Sequence, residues 1–470
     1  MRIGARPVAG LSIALMLGAC AVGPDYVRPA VAVPAQFKED PDWKPAQPSD
    51  AQPRAAWWTI FDDAQLDALA RQVAAANQSV AVAQANFRQA DALARQARAA
   101  IFPVLNLNAA STRSQGASGN TASRSARPTT FNTVSLGTAW EVDLWGGLRR
   151  GLEEAQDTAH ASAGDMAATT LSLQGQMVTD YLALRVADEQ ERLLTDTVDA
   201  YEKSLQLTQS RYRAGVAALS DVTQAEAQLE STRAQAIDVR IQRAQLEHAI
   251  AVLVGKAPAD FSIEVQRYTL QFPAVPPQLP GSLLERRPDV AAAERRVAAA
   301  NAQIGVATAA FYPTLTLDAN GGYSAPSSAS LFSLPSRIWS LGPTLAEKLF
   351  DAGARSAARD QAVAGWEAAT ATYRETVLTA LQNVEDSLAA LRILAQEAEV
   401  EAAAVKAAQQ SLALTISQYK GGTVSYLNVI TAQTTELTSR ENALTIDGRR
   451  ATATVQLIQA LGGGWQATPD

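Results

Sequence analysis

The chain has 470 residues and a formal net charge of -7, from 40 basic and 47 acidic side chains. A charge that is negative and modest for this length argues against a nucleic-acid-binding protein. Alanine is abundant and only two histidines are present, a composition that favours long helices over a compact catalytic domain.

The N-terminal residues have the pattern of an export signal. Two arginines precede an apolar run from Val8 to Leu17, which is too short to span a bilayer as a mature helix. The run ends in Leu17-Gly18-Ala19-Cys20, and Cys20 is the only cysteine, so a disulfide within the chain is excluded. This string resembles the bacterial lipobox, in which the cysteine is acylated and becomes the first mature residue. Because Ala21 follows instead of aspartate, the resemblance implies a lipid anchor in the outer membrane.

A proline-rich tether and two helices are predicted next. Prolines recur every few residues from Gly23 to Pro53, a pattern that neither a helix nor a sheet accommodates. A helical region begins at Trp57-Trp58, and a second helix is predicted from Asn77 to Ala100. It ends before Phe102-Pro103, because proline disfavours a helical conformation in the residue that precedes it.

The periodicity then changes from helical to strand-like. Residues from Val134 to Leu144 alternate between apolar and polar side chains, over about the length that a tilted membrane strand requires. The second half has the same alternation, beginning at Thr314 to Asn320. A soluble hairpin would alternate in the same way, so it is the export signal that favours membrane strands. The sequence therefore predicts two β-hairpins, at about residues 104–145 and 314–350.

Long proline-free segments with apolar residues at spacings of four and seven are predicted to form helices that pack side by side. One runs from about Leu148 to Tyr212 and returns from Leu219 to Val254; the other runs from about Ala354 to Tyr419 and returns from Tyr426 to Leu461. Each long helix would measure roughly 95–100 Å, and the two shorter helices of a half would together measure roughly 90 Å. Each half should therefore supply one long helix and two shorter helices stacked end to end.

The two halves carry the same markers about 207 residues apart, which indicates an internal duplication. Tyr181-Leu182-Ala183-Leu184-Arg185 corresponds to Leu388-Ala389-Ala390-Leu391-Arg392. Arg211-Tyr212-Arg213-Ala214-Gly215 corresponds to Gln418-Tyr419-Lys420-Gly421-Gly422. The chain then divides into a signal peptide (1–19), a proline-rich tether (20–56), a first repeat (57–256) with a helical tip at about 211–221, a connector (257–281), a second repeat (282–464) with a helical tip at about 418–428, and a C-terminal tail (465–470).

Four predicted strands are too few to form a barrel alone, since the smallest transmembrane barrels need about eight. A closed barrel is the only sheet whose backbone groups are all hydrogen-bonded in lipid. Membrane insertion would therefore require several copies of the chain. The strand count permits a dimer or a trimer and does not choose between them.

Four sequence strings are shared with one known family: Gly23 to Pro29 after Cys20, Trp57-Trp58 with Phe61, Leu284-Glu285-Arg286-Arg287-Pro288-Asp289-Val290, and the pair of tip turns. On these strings the chain resembles the TolC/OprM-like outer-membrane efflux proteins, in particular the NodT-type lipoproteins. The resemblance covers essentially all of the mature chain. It implies a mainly α fold with a membrane β-barrel portion, built by a homotrimer as a twelve-stranded barrel continued by a twelve-helix periplasmic α-barrel.

The implied function is a passive exit duct of a tripartite efflux system, which conducts drugs or other small amphiphilic molecules to the outside. The implied partners are a periplasmic adaptor protein, an inner-membrane pump of the RND type and outer-membrane lipid. No nucleic acid, cofactor or metal is expected. Two alternatives remain: the outer component of a type I protein-secretion or metal-efflux system, and a periplasmic coiled-coil adaptor. Adaptors usually carry one helical hairpin, whereas this sequence predicts two.

The tip turns are the most informative positions for function. Gly215 and Gly422 suit the positive φ that follows a helix. The resemblance adds that the tips meet the adaptor, which makes the following residues candidate contacts: Arg211, Arg213, Gly215, Lys420, Gly421 and Gly422. The three basic side chains would equally suit a structural role, because cations near a helix C-terminus complement its dipole.

The resemblance also places a periplasmic gate just past the turns, with Asp221, Leu427, Asn428 and Thr431 as candidates. Asp221 matches a position that the family uses for a gating hydrogen bond or salt bridge, although the helix dipole alone would favour a carboxylate there. Asn428 and Thr431 stand where many relatives have aspartates, and the basic residue expected near Val424 is missing. We therefore expect Leu427 side chains and weaker polar contacts to close the tip, in place of a charged ring.

The remaining motifs are interpreted as structural. In Glu285-Arg286-Arg287-Pro288-Asp289, proline suits the first position of a helix and aspartate suits its first turn, so the string should form an ion-paired helix start. The chain has no phosphate-binding glycine loop and no metal-binding histidine motif, since His160 and His248 lie in helical segments without metal-ligand spacing. Enzymatic activity is not expected.

Overall fold

A computed structural model describes residues 21–32, 34, 37–39, 54–115, 128–269 and 287–463. Cys20, most of the tether, Glu285-Arg286 and the C-terminal tail lie outside these ranges. The chain divides into two compact units. Unit 1 comprises Met1–Ala30, Asn86–Ser162 and Ala293–Tyr373, and unit 2 comprises Val31–Ala85, Ala163–Ala292 and Arg374–Asp470.

Unit 1 contains a four-stranded antiparallel sheet in the order β1-β2-β3-β4. The strands are β1 (Val104–Ser114), β2 (Thr129–Val142), β3 (Thr314–Ala325) and β4 (Arg337–Ala346). The predicted strands are confirmed, but β2 begins five residues before Val134, because Thr129, Thr130 and Phe131 favour extended backbone as well.

The register of the sheet gives it one apolar face. Leu107 lies opposite Leu136, Leu136 opposite Gly321, and Gly321 opposite Trp339. Directly opposite residues share a face, and side chains alternate along each strand. Apolar residues of all four strands therefore lie on that face: Leu105, Leu107, Val134, Leu136, Leu315, Leu317, Trp339 and Leu341.

Seven α-helices are present in the described ranges: α1 (Ala64–Ala76), α2 (Gln78–Ala100), α3 (Gly147–Arg213), α4 (Leu219–Leu253), α5 (Pro288–Ala309), α6 (Ala354–Lys420) and α7 (Tyr426–Ala460). Helices α3 and α6 each have 67 residues, and α4 and α7 each have 35. Every start and end in the second pair follows its counterpart by the same 207 residues, which confirms the duplication. Within the described part of the chain, none of the helices has the combination of length and hydropathy needed to cross a membrane.

The predicted helical region at Trp57-Trp58 consists of two elements. A 3-10 helix, Arg54–Phe61, ends at Asp62, whose φ of 49° is incompatible with a continuing helix. Helix α1 then starts with Asp63 as its N-cap, where the carboxylate accepts hydrogen bonds from the backbone N–H groups of Gln65 and Leu66. The break follows from this capping geometry.

The largest apolar core of unit 2 forms where the 3-10 helix and α1 pack on α3, α4 and α7. Its members include Trp58, Phe61, Leu66, Val73, Met177, Tyr181, Ile250 and Val455. Arg185 is fully buried beside it, and its guanidinium donates hydrogen bonds to the Asp188 carboxylate (2.9 Å), to the Gln65 side chain (2.6 Å) and to the carbonyl of Glu264 (2.9 Å). These contacts connect α1, α3 and the segment after α4.

Helix α5 starts as the ion-paired motif predicted. The Arg287 guanidinium donates two hydrogen bonds to the Asp289 carboxylate, at 2.6 and 3.0 Å, and a third to the carbonyl of Ala460 at 3.1 Å. Pro288 is the first residue of the helix. The string therefore connects the start of α5 to the end of α7, both within unit 2.

Candidate functional site at the helical tips

The two tip turns have the same backbone conformation. Gly215 has a φ of 75° and Gly422 a φ of 77°, so the predicted positive φ values are confirmed. The N–H of Gly215 bonds to the carbonyl of Tyr212 at 2.9 Å, and the N–H of Gly422 bonds to that of Tyr419 at 3.0 Å. This bonding terminates both helices, and a side chain at either glycine would cost about 1–2 kcal/mol.

The side chains around these turns differ in burial. Tyr419 is 4% exposed, whereas its counterpart Tyr212 is 44% exposed. Tyr426, the first residue of α7, is 1% exposed, whereas its counterpart Leu219, the first residue of α4, is 56% exposed. The first hairpin (α3 and α4) therefore exposes the side chains that the second hairpin (α6 and α7) buries.

Tyr419 and Tyr426 are buried because they pack on the first hairpin. The hydroxyl groups of Tyr426 and Ser204 lie 3.3 Å apart, and the Tyr419 hydroxyl donates to Thr208 at 3.5 Å. Both rings belong to an apolar cluster that includes Ala225 of α4. Burial raises the pKa of Tyr426 above its ordinary value, with smaller opposing and reinforcing contributions from its neighbours.

Arg211, predicted as an adaptor contact, has partners within the chain. Its guanidinium donates to the carbonyl of Lys420 at 3.0 Å and lies 4.6 Å from the ring centre of Tyr419. It thus connects the end of α3 with the end of α6. Arg213 and Lys420 are exposed, as are the backbones of the turns, and the Arg213 guanidinium reaches only as far as Ser210, at 3.2 Å.

The predicted gate residues occupy two kinds of position. Asp221 is half-buried in the first turn of α4, where its carboxylate accepts from the N–H of Ala218 at 3.4 Å. Leu427 is 60% exposed on the first turn of α7. Asn428 and Thr431 are exposed and line a groove between α6 and α7 with a volume of about 200 Å³.

We name this cavity the α6/α7 groove; its lining residues are Ala408, Ser411, Thr415, Asn428, Thr431, Ala432 and Thr435. Neither this groove nor the inward position of Arg211 was expected from the sequence. Positions 207 residues apart are similar in both halves, so the sequence alone does not tell which copy is buried. The difference in burial between Tyr212 and Tyr419 depends on how the two hairpins pack against each other.

Comparison with known proteins assigns the whole chain to one family. The family model described as "Outer membrane efflux protein" matches residues 69–256 and again residues 279–463, once in each half. The chain is 32% identical to the pyoverdine export outer membrane protein OpmQ of Pseudomonas aeruginosa, over 97% of this chain and 96% of that protein. It is also 32% identical to the toluene efflux pump outer membrane protein TtgC of Pseudomonas putida, over 96% of this chain and 94% of that protein.

A solved structure agrees with the fold. The outer-membrane channel OprN superimposes with a TM-score of 0.89 at 30% sequence identity, and the match covers 95% of this chain and all of OprN. The agreement extends over strands and helices alike.

Proposed function

The chain belongs to the outer membrane efflux protein family, and from this premise we propose that three copies build one conduit from the periplasm to the exterior. The family consists of transport channels and not of enzymes. The protein is an outer-membrane efflux channel that extends into the periplasm, and it acts with a periplasmic adaptor and an inner-membrane pump. The conduit itself is passive, and the pump supplies the energy.

The observation that carries the proposal of several copies is the open sheet with one apolar face, and the number three is proposed from the family resemblance. In the described residues, β1 pairs only with β2 and β4 pairs only with β3. An unpaired backbone edge in lipid costs several kcal/mol for each unsatisfied group. Pairing β4 of one copy with β1 of the next removes every edge, and three copies then supply a twelve-stranded barrel continued by twelve helices.

Purified full-length protein tests this arrangement directly. Light scattering in detergent should give three times the mass of the chain, and planar bilayers containing the protein should show ion conductance. A monomer that does not conduct would refute the conduit.

A lipid anchor at Cys20 is the second part of the proposal, carried by the sequence since Cys20 lies outside the described residues. Cells labelled with a palmitate analogue should incorporate it into the protein. The Cys20→Ser variant should lose the label while the export signal is retained. Label that persists in this variant would exclude acylation at Cys20.

The cargo is proposed to be small amphiphilic molecules, including drugs, delivered by an adaptor and an RND-type pump. The two relatives at 32% identity are named for pyoverdine and for toluene, so identity alone does not select a cargo. A deletion strain should become more susceptible to a panel of drugs and solvents. Increased susceptibility to metal ions alone would favour a metal-efflux system. Loss of one secreted protein alone would favour a type I protein-secretion system.

Adaptor binding is proposed at the exposed parts of the tips, with Arg213, Lys420 and the turn glycines as direct contacts. Arg211 supports this surface indirectly, because its guanidinium is engaged with Lys420 and Tyr419. Arg213→Glu combined with Lys420→Glu should reduce copurification of the adaptor and leave the trimer intact. Unchanged copurification would remove both side chains from the interface.

Closure of the tip is proposed to depend on Leu427, with Asp221, Asn428 and Thr431 as its polar surroundings. Leu427 lies in the first turn of α7, and its large apolar side chain is mostly exposed in the single chain. Leu427→Ala should raise the conductance of the resting channel. Val216→Ala, which shortens an exposed apolar side chain at the other tip, is the matched control. Equal resting conductance in the two variants would exclude Leu427 from the gate.

A further inference from the structure

We propose that the loop end of the sheet binds a phosphorylated, multiply acylated glycolipid of the outer leaflet, through Arg337 of one copy and Arg113 of the next. The phosphate groups pair with the two guanidinium groups, and the sugar and acyl groups pack on Tyr323, Phe332 and Trp339. The inference rests on the proposed conduit, because the two arginines come from different copies that meet in the barrel. It names a lipid partner and the side chains that hold it.

Both arginines lie on the apolar face of the sheet. Arg337 is opposite Tyr323, and Tyr323 is opposite Val134, so Arg337 shares the face of Val134. Arg113 follows Leu107 on β1 by an even number of positions, which places it on the same face. Arg337 is the first residue of β4 and Arg113 the second-last of β1. Both cations therefore lie at the end of the sheet opposite the helices, on the side that faces lipid in a barrel.

The two guanidinium groups have no counter-ion in the described part of the chain. Both side chains are exposed, and neither makes a hydrogen bond, ion pair or ring contact with another described residue. Residues 92–140 and 319–346 contain no aspartate or glutamate. The carboxylates within the strands are Glu141 and Asp318, and both point to the polar face. Charge complementarity thus calls for an anion from outside the chain.

Barrel closure brings the two cations together. Strand β1 runs toward the loop end and β4 runs away from it, so β4 pairs antiparallel with β1 of the next copy and Arg337 comes near Arg113 of that copy. Neighbouring strands are about 4.8 Å apart, and like charges opposite each other destabilise the pairing. A phosphate group between them replaces this repulsion with charged hydrogen bonds, because a guanidinium binds phosphate through two parallel N–H groups.

Aromatic side chains lie next to the arginine of β4. The rings of Tyr323 and Phe332 are in edge contact, with their centres 5.6 Å apart. Trp339 follows Arg337 on the same face and is 75% exposed. Aromatic rings with a polar edge are favoured where a barrel leaves the hydrocarbon, since one end is apolar and the other is wet. These rings suit the boundary between the sugars and the acyl chains of a glycolipid.

The connection between β3 and β4 adds two large apolar side chains on a compact loop. The Ser333 hydroxyl donates to the carbonyl of Ser330 at 2.7 Å, and Leu331 between them is only 8% exposed. Phe332 and Leu334 are 71% and 79% exposed. Adjacent exposed apolar side chains of this kind mark a surface that a partner covers.

A glycolipid fits this surface better than a phospholipid. The helices extend into the periplasm, so the loop end of the sheet meets the outer leaflet. Lipid of that leaflet combines several phosphate groups, sugar rings and several acyl chains in one molecule. It can reach both arginines and Phe332 at once, while its acyl chains cover the apolar face below. A phospholipid offers one phosphate and no sugar ring.

Native mass spectrometry of the purified full-length protein tests the site. The trimer is stripped of lipid in detergent and titrated with bisphosphorylated lipid A, the membrane portion of this glycolipid. The unaltered protein should bind one molecule for each seam between copies. Arg113→Gln combined with Arg337→Gln should weaken binding by about tenfold or more, because the charged hydrogen bonds are lost. Equal affinity in the two proteins would overturn the proposal.

Lys348→Gln is the matched control. Lys348 is an exposed cation just past the other end of β4, on the periplasmic side of the barrel. This variant should bind lipid A as the unaltered protein does. A loss equal to that of the arginine variant would mean that net charge alone governs binding, and would overturn the site.

Two further lipids test the chemistry of the partner. Lipid A without its phosphate groups should bind at least about tenfold more weakly to the unaltered protein and equally to the arginine variant. Phosphatidylglycerol, which is anionic but has no sugar ring, should also bind more weakly than lipid A. Equal binding of phosphatidylglycerol would overturn the assignment to a glycolipid.

The loop is tested by a variant that leaves the sheet untouched. Phe332→Ser combined with Leu334→Ser changes only exposed side chains, so the fold should be retained. Lipid A should bind more weakly, and the preference for its phosphorylated form should remain. Unchanged affinity would overturn the packing of the lipid on this loop.

The outcomes separate this inference from the proposed function. A conducting trimer that binds lipid A equally with and without the two arginines would overturn the lipid site and leave the conduit in place. A protein that is monomeric and does not conduct would refute the conduit itself.

Discussion

The first and second helical hairpins have the same lengths and the same turns, but they bury different side chains. Tyr419 and Tyr426 are buried against the first hairpin, whereas Tyr212 and Leu219 are exposed. Duplication has therefore preserved the local structure, while the surroundings of the two copies differ. Within one chain the two hairpins pack on each other, and this contact buries Tyr419 and Tyr426 but leaves Tyr212 and Leu219 exposed.

A second difference between the two long helices also lies in unit 2: among the described residues, Arg185 of α3 belongs to a buried ion network and its counterpart in α6 does not. Arg185 is fully buried and paired with Asp188, whereas its counterpart Arg392 pairs with Glu39 at the surface. The reason is the 3-10 helix and α1, which pack on α3 and supply Gln65 as a further hydrogen-bond acceptor.

The largest expected effect is the difference in stability between variants of these two arginines. Arg185→Met should destabilise unit 2 by about 3–5 kcal/mol, because it leaves Asp188 buried with one partner fewer. Arg392→Met, the matched control, should cost no more than about 1 kcal/mol, since its ion pair is partly solvated. Chemical unfolding followed by helical circular dichroism measures both. Equal costs for the two variants would mean that the burial difference has no energetic consequence.

Arg211 provides the next largest test, because it joins the two tips. Arg211→Gln should cost about 2 kcal/mol, since it removes a charged hydrogen bond to Lys420 and a cation–π contact with Tyr419. Arg213→Gln, two residues away, should change stability by less than about 0.5 kcal/mol. Proteolysis of the tips at increasing denaturant concentration reports on this region. If Arg211→Gln lost adaptor binding without loosening the tips, its side chain would be a direct adaptor contact.

Substitution of the two turn glycines should lower stability equally, whereas substitutions of Arg211 and Arg213 should have unequal effects. Gly215→Ala and Gly422→Ala should each cost about 1–2 kcal/mol, because both require a positive φ that disfavours side chains. Neither added methyl group would clash, since the Gly215 position faces open space and the nearest atom to the Gly422 position is the Arg211 guanidinium at 3.7 Å. Thermal unfolding measures both variants. A cost confined to one turn would show that the two backbones are not equivalent.

The smallest effect concerns the buried phenol of Tyr426. Tyr426→Phe should cost about 1 kcal/mol at neutral pH through loss of its hydroxyl hydrogen bond, whereas Tyr212→Phe should cost nothing measurable.

The pH dependence of Tyr426 follows from its raised pKa. Below about pH 10 the phenol is neutral in both the folded and the unfolded chain, so its contribution to stability is complete. Above that pH the unfolded chain releases its proton first, and stability falls until the pH passes the folded pKa. Tyr426→Phe should therefore lose less stability than the unaltered protein when the pH rises from about 7 to about 11. Identical alkaline losses would place the titrating phenol elsewhere.

Helices, strands and turns follow from the sequence because their signals are local. The spacing of apolar residues defines α3 and α6, and the glycines define the turns after them. The start of α1 was harder to predict, since the helical pattern runs through Asp62 and only the capping geometry of Asp63 interrupts it.

The candidate site could be predicted only in part. Chain order places Leu427, Asn428 and Thr431 just past the second turn, and their role in a gate stays a prediction. The inward contacts of Arg211 and the burial of Tyr419 depend on a neighbouring hairpin more than 200 residues away in sequence. No local pattern distinguishes Tyr419 from Tyr212, because both occupy the same place in similar strings.

The equal lengths of α3 and α6 limit which insertions the two helices can tolerate. One inserted residue in either helix would advance its turn by about 1.5 Å and rotate it by about 100°, which would separate Arg211 from Lys420. A single insertion is thus disfavoured even where the inserted side chain would be solvated. In related sequences, differences in length should therefore occur as equal insertions or deletions in both halves, or in the loops between strands.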